Sequence, residues 1–108
     1  MDLEPSSEHR QIRETVASFA DAEVAPRAAE IDATDTFPAD LVAEMGDLGL
    51  MGVPFEEAHH GAGLDYHSYA IVVEEISRAS GGVGTIIAAH TSLAGGMLDA
   101  YGTESQKE

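Results

Sequence analysis

The sequence predicts an all-α fold, an up-and-down bundle of about five to six helices. Apolar residues recur at spacings of three and four through most of the 108 residues, which is the period of a helix with one buried face. Serine, threonine or aspartate precedes several of these runs, as expected of helix N-caps. The adjacent residues Ile86 and Ile87 would also suit a strand, but no other segment offers a partner strand. At this length, with 44% hydrophobic residues, the chain forms one domain with a modest core.

The first predicted helix begins at Ser6 or Ser7, and Pro26 interrupts it. Because proline lacks a backbone N–H and its ring clashes with the preceding turn, it predicts a break or kink, with helical structure resuming over residues 27 to about 33. The polar residues 32–36 predict a loop. The buried face of the first helix is predicted to comprise Ile12, Val16, Phe19, Ala20 and Val24.

A third helix is predicted to start near Pro38 and to stop before Gly49. Proline suits a first helical turn because its missing N–H has no partner there, and glycine commonly occupies the position after a helix C-cap. A loop with several glycines is expected over residues 51–63. The predicted buried stripe of this helix consists of Leu41, Val42, Met45 and Leu48.

Asp65 is predicted to cap a fourth helix, which ends at Ser80 and the two glycines after it. Its predicted buried face is Tyr69, Ala70, Val73 and Ile76. The next stretch, residues 83–101, is apolar nearly all round, with no charge between Arg78 and Asp99. A helix without a polar face is buried on most sides, and four short helices are too few to cover this one. We therefore expect part of it to face a partner domain or a ligand.

The C-terminal residues predict the start of another helix. Thr103 and Gln106 have the spacing of a capping box, in which a hydroxyl and an amide satisfy the first backbone groups of a helix. Only Lys107 and Glu108 follow, which are too few for a helix body. We therefore expect the sequence to be the front piece of a longer protein.

Four motifs follow one another at a characteristic spacing. They are a glycine loop ending in Leu-Asp, a Glu-Glu-Ile-Ser-Arg helix, a His-Thr-Ser-Leu patch and a Gly-Thr-Glu-Ser-Gln-Lys run, at residues 60–65, 74–78, 90–93 and 102–107. Together they resemble the N-terminal helical domain of the acyl-CoA dehydrogenases, and the likeness covers roughly residues 7–107. One departure is visible, because His59-His60 stands where the family usually carries Tyr-Gly.

This resemblance implies that residues 1–108 are the first domain of a flavin-dependent acyl-CoA dehydrogenase, whose middle flavin domain and C-terminal catalytic domain lie outside the chain. Such enzymes use FAD to oxidise acyl-CoA thioesters to trans-2-enoyl-CoA, and they pass the electrons to an electron-transfer flavoprotein. The family's catalytic glutamate belongs to the C-terminal domain. The resemblance therefore implies no catalytic residue here, little or no FAD on this domain alone, and a homo-oligomer when the protein is full length.

In the family, the helix that corresponds to residues 85–93 lines the acyl-chain cavity. The implied substrate-binding positions are Thr85, Ile86, Ala88, Ala89 and Leu93. The missing polar face suits this role because a fatty-acyl tail needs an apolar wall. Burial in an ordinary core is the alternative for each of the five residues. No cofactor-binding residue is assigned.

Two other interpretations stay open. The chain could be a stand-alone helical interaction module without catalytic activity, docking on another subunit through residues 83–98. It could also be the N-terminal domain of a related acyl-CoA oxidase or nitroalkane-type flavoenzyme, because oxygen reactivity is decided around the flavin.

The chain is strongly acidic, with 20 acidic and 5 basic residues and a formal net charge of −15. Such a surface repels phosphates, which argues against nucleic acid and anionic membrane surfaces as partners. A basic partner or adaptation to high salt would explain the charge. Because the carboxylates are scattered through nearly every segment, a salt-adapted, halophilic protein is the favoured explanation: screening over about 3 Å at 1 M salt removes the self-repulsion.

The sequence also indicates a compartment. Cysteine is absent, which fits a reducing interior. The N-terminus lacks the basic and apolar start of a signal peptide, and no apolar run approaches the roughly 18 residues that span a bilayer. We therefore expect a cytoplasmic protein without membrane insertion.

Glu74 and Glu75 have a structural explanation. Adjacent helical residues point about 100° apart, so the two carboxylates do not share one proton or substrate. The predicted role of Glu74 is a solvated face or an ion pair with Arg78, four residues later.

The histidines and the glycine loop are also explained without chemistry. No histidine pair has a metal-ligand spacing, even with Asp65 as a further ligand, so no metal site is predicted. His59, His60 and His67 are expected to be solvated in loops, and His90 to be a hydrogen-bonded core residue. The glycines of residues 61–63 are expected to turn the backbone, because the sequence around them lacks the pattern of a phosphate loop.

Overall fold

The computed structural model describes residues 2–108 and confirms the all-α fold, since every regular element within them is helical. The α-helices are α1 (Ser7–Phe19), α2 (Ala28–Thr34), α3 (Ala39–Asp47), α4 (Tyr66–Ala79), α5 (Gly81–Ala88), α6 (Gly96–Tyr101) and α7 (Glu104–Lys107). Segments of π-helix (Ala20–Val24, Ala89–Gly95) and 3₁₀-helix (Ala25–Arg27, Glu57–His59) lie between them. The backbone stays helical from α1 to α2 and from α5 to α6, although the helix type changes along both paths.

Side-chain caps start three helices where the sequence predicts them. The side-chain oxygens of Ser6, Asp65 and Thr103 each accept a hydrogen bond from the backbone N–H three residues on, at 3.1, 2.8 and 3.2 Å. Ser80 ends α4 as predicted, but it also caps α5 by accepting from the Val83 N–H at 3.3 Å. Helix α5 therefore begins at once, without a loop.

Pro26 lies where regular α-helix gives way. The wider π turn of Ala20–Val24 precedes the 3₁₀ turn that contains it, and α2 follows. Because proline cannot donate a backbone hydrogen bond, the i to i−4 pattern cannot run through it. The predicted break or kink is confirmed.

Helix α3 ends in a Schellman motif at Gly49. This residue has φ +80°, its N–H donates to the Gly46 carbonyl at 3.0 Å, and the Leu50 N–H donates to the Met45 carbonyl at 2.9 Å. The two bonds satisfy carbonyls that the helix end would leave without partners. The predicted role of Gly49 is confirmed.

The predicted stripe of α3 is correct except at its end. Leu41 and Met45 are buried and Val42 is half-buried, but Leu48 is 54% exposed. The prediction for Leu48 is wrong because the Schellman turn places this residue at the rim of an open apolar depression of about 310 Å³ between α1 and the loop after α3.

Helix α4 lies between α1 and α5 and contacts both. The predicted face is wrong for Ala70, which is exposed, and Tyr69 and Val73 are only half-buried. The pattern fails because a helix with neighbours on two sides buries a wider arc than a single stripe describes. The buried positions are Ser68, Ile71, Val72, Glu75 and Ile76.

One core joins α1, α3, α4 and α5. Its buried apolar side chains are Val16, Ala20, Val24, Leu41, Met45, Leu50, Val53, Val72, Ile76, Val83 and Ile87. Helices α4 and α5 lie close together at Gly84, where an added methyl group would collide with the Ser77 side chain and lie 2.9 Å from its Cα. The absence of a side chain at this glycine thus permits the packing that holds the apolar helix in place.

Candidate functional site

The predicted cavity-lining positions lie on the helix formed by α5, the π segment Ala89–Gly95 and α6. Thr85, Ala89 and Leu93 are exposed, and Leu93 is 70% exposed. Ile86 and Ala88 are half-buried. The structure thus presents three of the five positions to solvent, and it places Ile86 beside a depression next to the loop after α2.

Large apolar side chains extend this exposed face toward the C-terminus. Met97 is 67% exposed and Tyr101 is 86% exposed. The opposite side of the same helix packs into the core through Val83 and Ile87, which have no exposed surface. Exposed apolar surface of this kind marks an interaction or ligand site. We call Thr85, Ala89, Leu93 and Met97 the outer wall.

Two neighbouring hydroxyls attach the π segment to the rest of the domain. Thr91 is buried and its hydroxyl donates to the Met51 carbonyl at 3.1 Å, on the side of the loop after α3. The Ser92 hydroxyl shares a 2.8 Å hydrogen bond with the Tyr69 hydroxyl of α4. Sequence periodicity gave no signal for these contacts, since both serine and threonine are common on helix surfaces.

A network of charges joins α1, the first π segment and α4. Arg13 donates to Glu75 at 2.6 Å and to Glu74 at 3.1 Å. Arg78 donates to Glu75 at 2.9 Å and to Asp21 at 3.0 Å. Of the two roles predicted for Glu74, the ion pair with Arg78 is wrong, because Arg78 bonds the buried Glu75 instead. The exposure of Glu74 agrees with the other role, a solvated face.

The buried carboxylate of this network stays ionised. Burial raises the pKa of Glu75, but hydrogen bonds from Arg78 and Arg13, together with their charges, lower it further than burial raises it. The net result is a pKa of Glu75 below its ordinary value. A carboxylate held in this way by two arginines has a structural role, as a poised base needs a raised pKa.

A second polar contact ties the start of α1 to the start of α4. His9 Nε2 lies 3.0 Å from Asp65 Oδ2, and its Nδ1 accepts from the Ser6 N–H at 3.2 Å. The His67 ring packs against the His9 ring with a centroid distance of 4.0 Å. Hydrogen bonds from the side chain and backbone of Ser68, followed by the bond from His9, lower the pKa of Asp65 well below its ordinary value.

The histidine predictions are partly wrong. His90 is exposed, so it is not a core residue. His59 and His67 are half-buried, while His60 is exposed as expected and has left-handed backbone torsions, with φ 65°. His59 Nε2 lies 3.6 Å from a carboxylate oxygen of Glu104, the first residue of α7.

The backbone N–H groups of the glycine loop donate hydrogen bonds to carbonyls of this same chain. The N–H groups of Gly61, Ala62, Gly63 and Leu64 donate to carbonyls of residues 52–56 at 2.8–3.0 Å. A side chain at Gly61 would collide with the Phe55 backbone. Because these amides already have partners, the loop cannot cradle a phosphate, in agreement with the predicted turning role.

Two further properties concern residues 2–108 as a whole. Within this range no three histidine, aspartate or glutamate side chains lie together in a way that could hold a metal ion. None of the helices in the same range has the length and apolar character needed to cross a lipid bilayer.

Comparison with known proteins extends these observations. A family model for the acyl-CoA dehydrogenase N-terminal domain matches residues 6–108. The short-chain specific acyl-CoA dehydrogenase of Clostridium acetobutylicum is 46% identical over 108 residues, which make up 100% of this chain and 28% of that protein.

Solved structures give the same result. Butyryl-CoA dehydrogenase from Megasphaera elsdenii superposes with a TM-score of 0.90 at 31% identity, covering 100% of this chain and 29% of that one. A chain in the structure of the electron transferring flavoprotein of Acidaminococcus fermentans superposes with a TM-score of 0.92 at 34% identity, covering 99% and 28%. The present chain therefore spans less than a third of the length of these proteins.

Proposed function

The chain belongs to the acyl-CoA dehydrogenase family, whose N-terminal domain it spans, and from this premise we propose that its outer wall closes one side of an acyl-CoA cavity. The observation that carries the proposal is the exposure of large apolar side chains on one helix of a strongly acidic chain, with Leu93 70% exposed. An acyl tail is held by apolar contact, and a wall without charges supplies it. Thr85, Ile86, Ala88, Ala89 and Leu93 are the proposed substrate-binding positions.

In this proposal, the complete protein oxidises an acyl-CoA thioester to a trans-2-enoyl-CoA. The names of the short-chain specific relative and of the butyryl-CoA dehydrogenase neighbour support an acyl-CoA substrate with a short chain. The proposed share of these 108 residues is to shape the cavity and exclude water from it, which strengthens electrostatic interactions inside. The proton-abstracting base and most of the flavin site are proposed to belong to a middle domain and a C-terminal domain outside this chain.

The residues present fit only one edge of an FAD site. Residues 83–98 contain no lysine or arginine, and Arg13, Arg27 and Arg78 each donate to carboxylates of this same chain. Such a surface suits the flat apolar part of a flavin and is unsuited to its pyrophosphate, which basic groups and backbone N–H groups bind. FAD, when held by the complete protein, would accept the hydride taken from the acyl chain.

The proposal also covers the partners and the environment of the complete protein. An electron-transfer flavoprotein is the proposed electron acceptor, supported by the likeness to a chain in the Acidaminococcus fermentans flavoprotein structure. A cytoplasmic homo-oligomer is proposed for the complete protein. Adaptation to a salt-rich environment is proposed for the acidic surface, supported by the net charge of −15 spread along the chain.

Purification of the protein from its native host tests the proposal. We expect a chain several times longer than 108 residues, with visible flavin absorbance that bleaches when butyryl-CoA is added without oxygen. Bleaching followed by rapid recolouring in air would instead indicate an acyl-CoA oxidase. A colourless protein of 11.3 kDa would refute the enzyme and leave the exposed helix face as the docking surface of an interaction module.

A further inference from the structure

The π segment Ala89–Gly95 carries two of the four residues of the outer wall, Ala89 and Leu93. In a π turn the hydrogen-bonded residues are five positions apart in place of four, and this changes the direction in which the following side chains point. Such turns are rare and are often found at functional sites. The orientation of Leu93 therefore depends on this segment keeping its local geometry.

Side-chain bonds on both flanks hold the segment in this geometry. Thr91 is buried, and its bond to the carbonyl of the half-buried Met51 is on the inner side of the segment. The bond between Ser92 and Tyr69 is on the outer side, between two hydroxyls 2.8 Å apart. Ser92 directly precedes Leu93 in the chain, so the outer bond is the one closest to the wall.

The position of the Tyr69 side chain is fixed by the packing of the helix on which it lies. It lies on α4, whose neighbouring residues Ser68, Ile71 and Val72 are buried between α1 and α5. Its own ring is half-buried, which limits its movement. A hydroxyl held in this way can set the position of the Ser92 hydroxyl that it bonds.

We propose that Tyr69 is a positioning residue for substrate selection: through its hydrogen bond to Ser92 it fixes the π segment, and with it the depth of the acyl cavity at Leu93 and Ala89. This inference rests on the proposed function, because it assumes that the outer wall faces the acyl chain. It assigns Tyr69 no contact with the substrate and no part in proton transfer.

The test uses the complete flavoprotein with Tyr69→Phe, which removes only the hydroxyl. Tyr66→Phe is the matched control, since this nearby tyrosine on α4 is 68% exposed and its ring meets the Tyr69 ring edge-on at 6.4 Å. The measured quantity is the ratio of kcat/KM for butyryl-CoA to kcat/KM for octanoyl-CoA. We expect Tyr69→Phe to change this ratio by about three- to tenfold, the size of one lost hydrogen bond, with unchanged flavin content.

Ser92→Ala gives a second, independent measurement. It should change the ratio in the same direction, and the double variant should change it no further than either single one, because both remove the same bond. Tyr66→Phe should leave the ratio within twofold of the unaltered protein.

Each outcome decides between the two claims. If the unaltered protein oxidises acyl-CoA and Tyr69→Phe leaves the ratio unchanged, the role of Tyr69 is wrong while the proposed function stands. Additive effects of Tyr69→Phe and Ser92→Ala would also overturn it. If the unaltered protein oxidises no acyl-CoA, the proposed function fails, and the inference fails with it.

Discussion

Arg13 on α1 and Glu75 on α4 lie 62 positions apart in the sequence and share a 2.6 Å hydrogen bond. The bond crosses one of the main helix contacts of the domain, that between α1 and α4. Arg78 holds the second oxygen of the same carboxylate at 2.9 Å. Because Glu75 is buried, its charge depends on these two arginines for compensation.

The first prediction concerns loss of one arginine from this network. Arg13→Gln should lower the free energy of unfolding by about 1–2 kcal/mol, because it leaves the buried Glu75 carboxylate with one arginine in place of two. The loss of stability is moderate because Arg13 itself is partly exposed to solvent. Urea denaturation of the purified chain measures this change.

Arg27→Gln is the matched control for that prediction. Arg27 pairs with Asp40 at 2.8 Å, but the Asp40 side chain is 76% exposed, and exposed pairs contribute little. We expect its urea midpoint to match that of the unaltered chain. Equal losses in the two variants would show that burial of Glu75 does not matter.

Asp65 gives the second prediction, which concerns acid stability. Its pKa is lower in the folded chain than in the unfolded one, so its stabilising effect is complete above the ordinary carboxyl pKa of about 4 and is lost as the pH falls below it. Asp65→Asn retains a good N-cap and removes the titration. The unaltered chain should therefore lose stability more steeply than the variant as the pH falls below about 4, measured by urea midpoints at several pH values. Parallel pH profiles would contradict this explanation.

Gly84 supplies the third prediction. Gly84→Ala should lower the free energy of unfolding by about 1–3 kcal/mol, because the new methyl group would collide with Ser77 and force α4 and α5 apart. Gly81→Ala is its control in the same helix, since the added methyl group there would enter open space. Since alanine favours helix more than glycine does, the control should be neutral or slightly stabilising. Thermal melting of the two variants distinguishes a packing effect from a propensity effect.

The fourth prediction concerns salt. With a net charge of −15 the folded chain repels itself, so its melting temperature should rise between about 0.05 and 1 M potassium chloride, as the screening length falls to about 3 Å. The rise should shrink in a variant with four exposed carboxylates neutralised, namely Glu14→Gln, Glu30→Gln, Glu44→Gln and Asp47→Asn. A melting temperature that does not respond to salt would argue against adaptation to high salt.

Much of the fold follows from local sequence signals. Asp65, Gly49 and Pro26 act through the backbone groups within a few residues, and the chain order alone therefore predicts their effects. The family resemblance likewise depends on short motifs and their spacing. These local signals identified the all-α class and the main helix boundaries.

The sequence-based predictions are wrong where residues far apart in the sequence come into contact. Glu75 is buried because Arg13 reaches it from α1, and no local pattern distinguishes it from Glu74. The Tyr69–Ser92 bond joins residues 23 positions apart through a π turn, which has no simple sequence period. Leu48 is exposed because the turn at Gly49 redirects the chain just where the helical period stops applying.

The central claim, that the outer wall faces the acyl chain, is tested most directly at Ala89. In the complete flavoprotein, Ala89→Phe places a ring on the wall, and Ala43→Phe places the same ring on an exposed position of α3. The measurement is the dissociation constant of an acyl-CoA, followed through its perturbation of the flavin spectrum. We predict that Ala89→Phe weakens binding by about tenfold or more with flavin content intact, while Ala43→Phe leaves it unchanged. Equal affinities in the two variants would contradict the account.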